Sequence, residues 1–233
     1  MNPPRWGCIA LPAVVALLLA ALALFAQAPA SLDGVLRALD AAAPGIRTVS
    51  AKVTLSDYTA LVRSTDRSSG MLYFEHQGGK VSYSLDLTQP RDAARQLMVV
   101  DGTGWYYVPA AKQVTKRAVG SNPDFLQYLT VGMGASGADL SRLFTVSFDG
   151  AVQLGNRSTL QLTLVPRDAK VAANYPKIEL WYDPRTWVPA QEQLWQPGGD
   201  VHTLQYTDTK LNRKLDPKVF STAFPGASVV VQH

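Results

Sequence analysis

Read for its apolar and polar positions, the chain changes period as it goes. Leu32, Val35, Leu36, Leu39, Ala43 and Ile46 recur at helical spacing, with Ser31 or Asp33 placed to cap the start and Pro44-Gly45 to end it. That pattern predicts one amphipathic helix. From Thr48 the period becomes two: Val49, Ala51, Val53 and Leu55 alternate with Thr48, Ser50, Lys52 and Thr54, as in a strand with one wet and one dry face. Arg63 to Ser69, rich in Ser, Thr, Asp and Arg, predicts a mobile hairpin connection. Gly70 to His76 reads as the next strand, Gly78-Gly79 as a turn, and Lys80 to Thr88 as a strand. There Val81, Tyr83, Leu85 and Leu87 alternate without a fault with Ser82, Ser84, Asp86 and Thr88.

The stretch from Gln96 to Arg117 has the grammar of a meander. Leu97 to Val100 is a short apolar run, Asp101-Gly102 supplies turn chemistry, and Trp105 to Val108 is an aromatic run of strand type. A second turn at Pro109 to Lys112 leads into Gln113 to Arg117. Both faces of the middle strand are apolar or aromatic, Trp105 and Tyr107 on one and Tyr106 and Val108 on the other, so one can pack on core while the other lines a cavity. Pro123 to Val131 and Ala138 to Phe144 then read as two short helices. Strands are predicted at Thr145 to Phe148, Val152 to Leu154, Thr159 to Val165, Lys177 to Asp183, Val188 to Trp195 and Asp200 to Asp208. The tail holds one helical turn from Asp216-Pro217 to Phe220 and a last strand at Ser228 to Val231. The fold class is therefore α+β: about eleven antiparallel strands in one large curved sheet, with a leading helix and a central helical insertion.

Composition changes the picture mainly at the start. Arg5, the almost unbroken Ala, Leu and Val run from Ile9 to Phe25, and the small residues around Ala28 and Ala30 are those of an export signal. The run is shorter than the roughly 20 residues of a spanning helix, with an uncleaved anchor as the alternative to a cleaved signal. Pro29 disfavours cleavage after Ala28, so the mature chain is expected to start at Ser31, leaving a single domain over 31–233 in the periplasm. The one cysteine, Cys8, precedes the apolar run, so the mature chain has none and its stability must come from the core. The net charge of +4 is carried by scattered basic residues, with small groups at Lys112, Lys116 and Arg117 and at Lys210, Arg213 and Lys214. A nucleic-acid partner would want a continuous stripe, and none is expected.

Candidate chemistry is sparse. The three histidines, His76, His202 and His233, are far apart, and none stands at metal-ligand spacing, so no metal is expected. Glu75, Glu179 and Glu192 are the only glutamates, each on a predicted strand, and they read as solvent-facing. Gly132-Met133-Gly134-Ala135-Ser136-Gly137 matches a dinucleotide-binding pattern literally, but it lacks the strand–helix–strand context that would make it one. It reads as a flexible linker between the two central helices. No enzyme activity and no cofactor are expected.

What remains is a sheet whose inner face carries many Leu, Val, Tyr and Trp, with few helices to cover it. Such a sheet leaves either a packed core or a cavity for an apolar ligand. The expected lining is Leu72, Phe74, Tyr83, Leu85, Leu97, Val99, Trp105, Tyr107, Leu160 and Leu162, with the parity of the 105–108 strand open because both its faces are apolar. The expected lid is the first helix with Phe125, Leu129, Leu140 and Leu143 of the central helices, moving about Gly132, Gly134 and Gly137.

The pieces VVDGTGWYYVPAAKQVTKR, PDFLQYLTVG, LQLTLVPRD, KIELWYDPRTWVP and TDTKLNRKLDPKVFSTAFPGASV, in that order, resemble the periplasmic outer-membrane lipoprotein carrier family, the LolA-like proteins. The resemblance spans most of the chain from the first helix to the end. It implies an unclosed β-barrel with a helical lid, holding the acyl chains of a lipoprotein or lipid. It also implies a monomer that takes its cargo from an inner-membrane ABC transporter and passes it to an outer-membrane acceptor. Carriers of this family have an arginine shortly after the second strand that helps control the lid. Here that neighbourhood reads Glu75-His76-Gln77-Gly78-Gly79-Lys80, without one. Related folds serve as lipid-binding modules that are not carriers, including envelope-stress sensors and membrane-anchored proteins.

Overall fold

The computed structural model describes residues 31–118 and 131–232. The expected leader, His233 and most of the expected first central helix, with Phe125, Leu126 and Leu129, lie outside the described residues. Helix α1 (Leu32–Ala42) begins where Ser31, in extended backbone, accepts a hydrogen bond from the Gly34 N–H at 3.2 Å. This satisfies one of the donors that a helix start leaves orphaned. Val35 and Leu39, on its buried stripe, are 0% and 1% exposed.

Two meanders follow. β1 (Thr48–Thr59), β2 (Ser64–Gln77), β3 (Lys80–Gln89), β4 (Arg95–Val100), β5 (Thr103–Val108) and β6 (Gln113–Ala118) form the first. After α2 (Gly137–Leu143), β7 (Phe144–Leu154), β8 (Arg157–Pro166), β9 (Lys177–Tyr182), β10 (Pro189–Trp195) and β11 (Val201–Leu211) form the second, with a single-turn helix α3 (Ala169–Ala172) between β8 and β9. β12 (Ser228–Gln232) ends the described chain. All twelve strands belong to one sheet, in the order β12-β6-β5-β4-β3-β2-β1-β11-β10-β9-β8-β7. β11 returns antiparallel to β1 and so welds the two meanders together. The edge strands β12 and β7 do not pair with each other, so the sheet stays unclosed.

Four elements differ from what the sequence predicts. The polar stretch Ser64–Ser69 is strand, in register with β1 from Thr59 to Thr54, and only the turn at Ala60–Arg63 separates the two. Ladder bonds are made by backbone, and at the exposed end of a hairpin they tolerate Ser, Thr, Asp and Arg alike. The strands expected at Thr145 to Phe148 and Val152 to Leu154 are one, with its register shift between Phe148 and Gly150, where Gly150 takes φ +104°. The last strand pairs parallel to β6, from Ser228 opposite Gln113 to Gln232 opposite Arg117, so the sheet is not wholly antiparallel. α3 leaves no periodic trace in so short a stretch; Asp168 caps it by accepting from the Lys170 and Val171 N–H groups.

The glycine-rich segment is also packed more tightly than a flexible linker. A Cβ at Gly137 would overlap the Leu36 carbonyl, and one at Gly132 would lie 2.6 Å from Pro189 Cγ. Gly137 is what lets α2 press against α1, and Ser136 caps α2 by accepting from the Asp139 N–H at 3.0 Å.

Together α1 and α2 cover the half of the concave face formed by β7, β8 and β9. There Leu160, Leu162, Leu164, Ile178 and Leu180 are buried against Val35, Leu39, Leu140 and Leu143. Each fully buried side chain of this kind contributes roughly 1.5–3 kcal/mol. The other half, from β4 through β1 to β11, has its own cluster around Val49, Ala51, Leu72, Phe74 and Tyr206, plugged by Met133. Along the outer part of that half the face opens into a cavity, bordered on one side by Lys170 and Val171 of α3 and by the segment Ala173 to Tyr175 that follows it.

Candidate functional site

A cavity of about 1100 Å³ lies on the concave face between the two meanders. One wall comes from Leu55 of β1, Tyr83, Leu85 and Leu87 of β3, Leu97 of β4 and Tyr106 of β5. The facing wall comes from Ile178, Glu192, Leu194 and Leu204 on β9, β10 and β11. The register explains the selection. Leu85 pairs with Leu97 and Leu97 with Tyr106, so these three project from one face of adjacent strands. Tyr106 is 41% exposed while Leu85 is 8%, so the lining runs from protein interior out to solvent.

The rim is polar and internally bonded. Asp57 follows Val53 and Leu55 on the inward side of β1, and it accepts from Arg95 Nη2 at 3.1 Å through Oδ2. Its Oδ1 lies 2.6 Å from His202 Nδ1, and His202 Nε2 lies 2.9 Å from Gln196 Nε2. Arg95 also donates to the Ser68 hydroxyl at 3.1 Å. Strands β1, β2, β4 and β11 are thus tied together at the mouth, with Arg117 and Lys170 further round it.

Inside, one residue breaks the apolar lining. Glu192 pairs with Leu204 on one side and Leu180 on the other, and it is 6% exposed. Burial pushes its carboxyl up to about 8, against a smaller opposing effect of a hydrogen bond from the Tyr206 hydroxyl. Its other oxygen, Oε1, has no hydrogen-bond partner, and neither does the buried Tyr182 hydroxyl. Burial first and the Glu192 charge second raise the Tyr83 and Tyr182 phenols, and the same two causes lead for Tyr206. At neutral pH the group is therefore a neutral acid facing three phenols. This corrects the expectation of a solvent-facing glutamate, because charge is tolerated in an apolar wall only by being neutralised.

A second cavity, about 450 Å³, shares Val131 with the first. It is lined by Phe74, Val81, Met133, Leu140 and Leu143, with His76, Lys80, Asp101 and Asp139 at its border.

The expected lining residues divide among several places. Tyr83, Leu85 and Leu97 line the larger cavity, and Phe74, Leu140 and Leu143 the smaller. Leu72 and Val99 are fully buried in the β1–β4 cluster, and Leu160 and Leu162 lie in the cluster beneath α1 and α2, bordering neither cavity. Trp105 and Tyr107 are on the opposite face of the sheet. There Phe224 of the C-terminal tail packs on both, with ring centroids at 6.1 and 4.9 Å, and Lys116 Nζ sits 4.9 Å above the Trp105 ring. Tyr106 takes the cavity position instead. Sequence reasoning passes over Leu55, Tyr106, Ile178, Glu192, Leu194 and Leu204. For Glu192 a signal exists: Ala190, Glu192 and Leu194 share one parity, against Gln191 and Gln193. Among the described residues no group of three or more His, Cys, Asp or Glu is placed to hold a metal ion.

No protein family and no curated protein matches the chain in sequence. Solved structures do match it in fold. MucB superposes with a TM-score of 0.51 at 16% identity, over 85% of this chain and 65% of its own length, so this chain spans a little under two thirds of MucB. An uncharacterized conserved protein from Thermus thermophilus gives 0.51 at 12% identity, over 86% of this chain and 98% of its own. A LolA superfamily protein from Nitrosomonas europaea covers 83% and 99% of the two chains at 14% identity, with a TM-score of 0.40. At these identities the likeness is one of fold. It is the fold that the sequence resemblance implies, an unclosed sheet with a helical portion.

Proposed function

We propose that this chain binds the acyl chains of a lipid or lipoprotein in the cavity between its two meanders, and that it carries them across the periplasm without covalent chemistry. The observation that supports this most is the cavity itself. Its volume of about 1100 Å³ lies just above the roughly 300–1,000 Å³ usual for small-molecule sites, and its wall is mostly leucine and tyrosine beneath a bonded polar rim. An acyl chain gains about 0.8 kcal/mol per methylene buried, so its transfer through water is slow unless a protein wall substitutes for the membrane. The rim meets the other need, because a headgroup left at Arg95, Asp57 and His202 stays in contact with polar atoms. The leader would place the mature chain in the periplasm, where an inner-membrane ABC transporter would load it and an outer-membrane acceptor would unload it.

The test is transfer. Inner-membrane vesicles holding a labelled acylated lipoprotein are incubated with the purified protein, and label is measured in the supernatant. A carrier releases label in proportion to protein added; label that stays with the vesicles at every concentration sinks the carrier reading.

A second reading is a lipid- or lipoprotein-binding module that is not a carrier; beside it stands the fold likeness to MucB, which has itself been crystallised in complex with another protein, MucA. Fractionation separates the two. A mature protein starting near Ser31 in the soluble fraction supports the shuttle, and a full-length protein pelleting with membranes supports an anchored module.

A further inference from the structure

The smaller cavity has no part in the function proposed above, and it lies where the two core clusters do not close on each other. Phe74 and Met133 on its wall belong to the β1–β4 cluster, and Leu140, Leu143 and Phe144 to the cluster beneath α1 and α2. These five side chains are only 0–5% exposed, yet a space of about 450 Å³ is left beside them. Protein interiors are close-packed, and a gap of that size forfeits contacts that a filling molecule would restore.

The register sets this space in line with the larger cavity. Val81, Tyr83, Leu85 and Leu87 are successive inward residues of β3; the last three line the larger cavity and Val81 the smaller. Phe74 of the smaller cavity is likewise the cross-strand partner of Tyr83 of the larger. The step from one cavity to the other is therefore one inward residue, about 7 Å along the strand. Val131 borders both cavities, and Met133, Gly134 and Ala135 after it border only the smaller, so this segment forms the partition.

The lining favours plain hydrocarbon. Its inner side chains carry no hydrogen-bonding group to orient a polar ligand. At the border, Lys80 Nζ lies 3.0 Å from Asp101 Oδ1, and Asp139 accepts from Ser136 Oγ at 2.6 Å and stands 3.5 Å from Arg142 Nη2, so these charges are already met within the protein. The space holds about fifteen groups of roughly 30 Å³, the share of a water in the liquid and close to that of a methylene. That is the size of one acyl chain of common length.

We propose that the smaller cavity is a separate subsite for one acyl chain, parted by Val131 from the chain in the larger cavity, so that a cargo with two chains is held with them apart. The proposal rests on the acyl-binding reading above and adds a second compartment to it.

The probe for the count is monopalmitoylglycerol, titrated into delipidated protein, with the chains bound per protein read by native mass spectrometry. The wild type should take up at least two. Val81→Trp, which sets an indole into the smaller cavity from a partly buried position, should take up one fewer. A palmitic acid with a diazirine at its terminal carbon gives a second readout. In the wild type its photolabel should reach Met133, Leu140 or Leu143 as well as residues of the larger cavity, and Val81→Trp should clear the first group alone. A single chain in the wild type, an equal count in Val81→Trp, or label confined to the larger cavity overturns the proposal and leaves the acyl-binding reading standing. No bound chain and no label overturns both. If Val81→Trp does not fold, the wild-type label decides alone.

Discussion

At position 192 the alternation that puts leucines inside puts a carboxyl inside as well, and this sets a stability profile. The Glu192 carboxyl sits at about 8 in the folded protein and at its ordinary 4.5 once the chain unfolds. Between those values the unfolded chain releases a proton that the folded chain keeps. The stability is therefore fully present below about 4.5 and is lost as pH rises toward 8, at roughly 1.4 kcal/mol per unit. Glu192→Gln removes the slope. Thermal unfolding should show the variant more stable than the wild type at pH 8 and close to it at pH 4.5; identical pH profiles would mean the carboxyl is solvated. Position 106 carries a second residue-scale expectation. Tyr106→Asp should weaken lipid binding with little loss of melting temperature, because Tyr106 is half exposed at the cavity mouth. Trp105→Asp should do the reverse, because Trp105 is held under Phe224 on the far face. The sequence could not choose between them, since both parities of Trp105 to Val108 are apolar and the choice depends on a tail more than a hundred residues away.

Elements were legible in proportion to the purity of their patterns. β3 alternates without interruption, and every inward residue of it from Tyr83 to Leu87 is buried where the period places it. α1 was readable from its stripe and its Ser31 cap. The outer half of β2 was not, because its strand character comes from pairing with β1 and leaves no apolar trace. Nor was the parallel pairing of β12, which is a property of two distant segments. The glycines around 132–137 fit a hinge by composition, yet two of them are there for close approach. Gly137→Ala should separate α2 from α1 and lower stability by about 1–3 kcal/mol, since the new methyl must displace the Leu36 backbone. A melting temperature unchanged by that substitution would restore the hinge reading.

At the scale of the whole molecule, the two halves of the concave face have different fates. Beneath α1 and α2 the inward residues of β8 and β9 are buried in one cluster, and Leu162→Ala there should cost about 2–5 kcal/mol, measured by denaturant unfolding, with no specific effect on ligand. Between β3–β5 and β9–β11 the face is left open, and the same kind of residue lines space instead of filling it. Apolar surface kept out of a packed core gives up stability and is explained by a ligand that covers it. The most direct measurement is mass spectrometry of organic extracts from the protein purified from the envelope of its own cells, beside a Leu97→Asp variant prepared identically. The account predicts an acyl-chain lipid or lipoprotein fragment near one equivalent in the wild type, and its loss in the variant. A wild-type protein carrying no acylated species above the level of an unrelated envelope protein would contradict it.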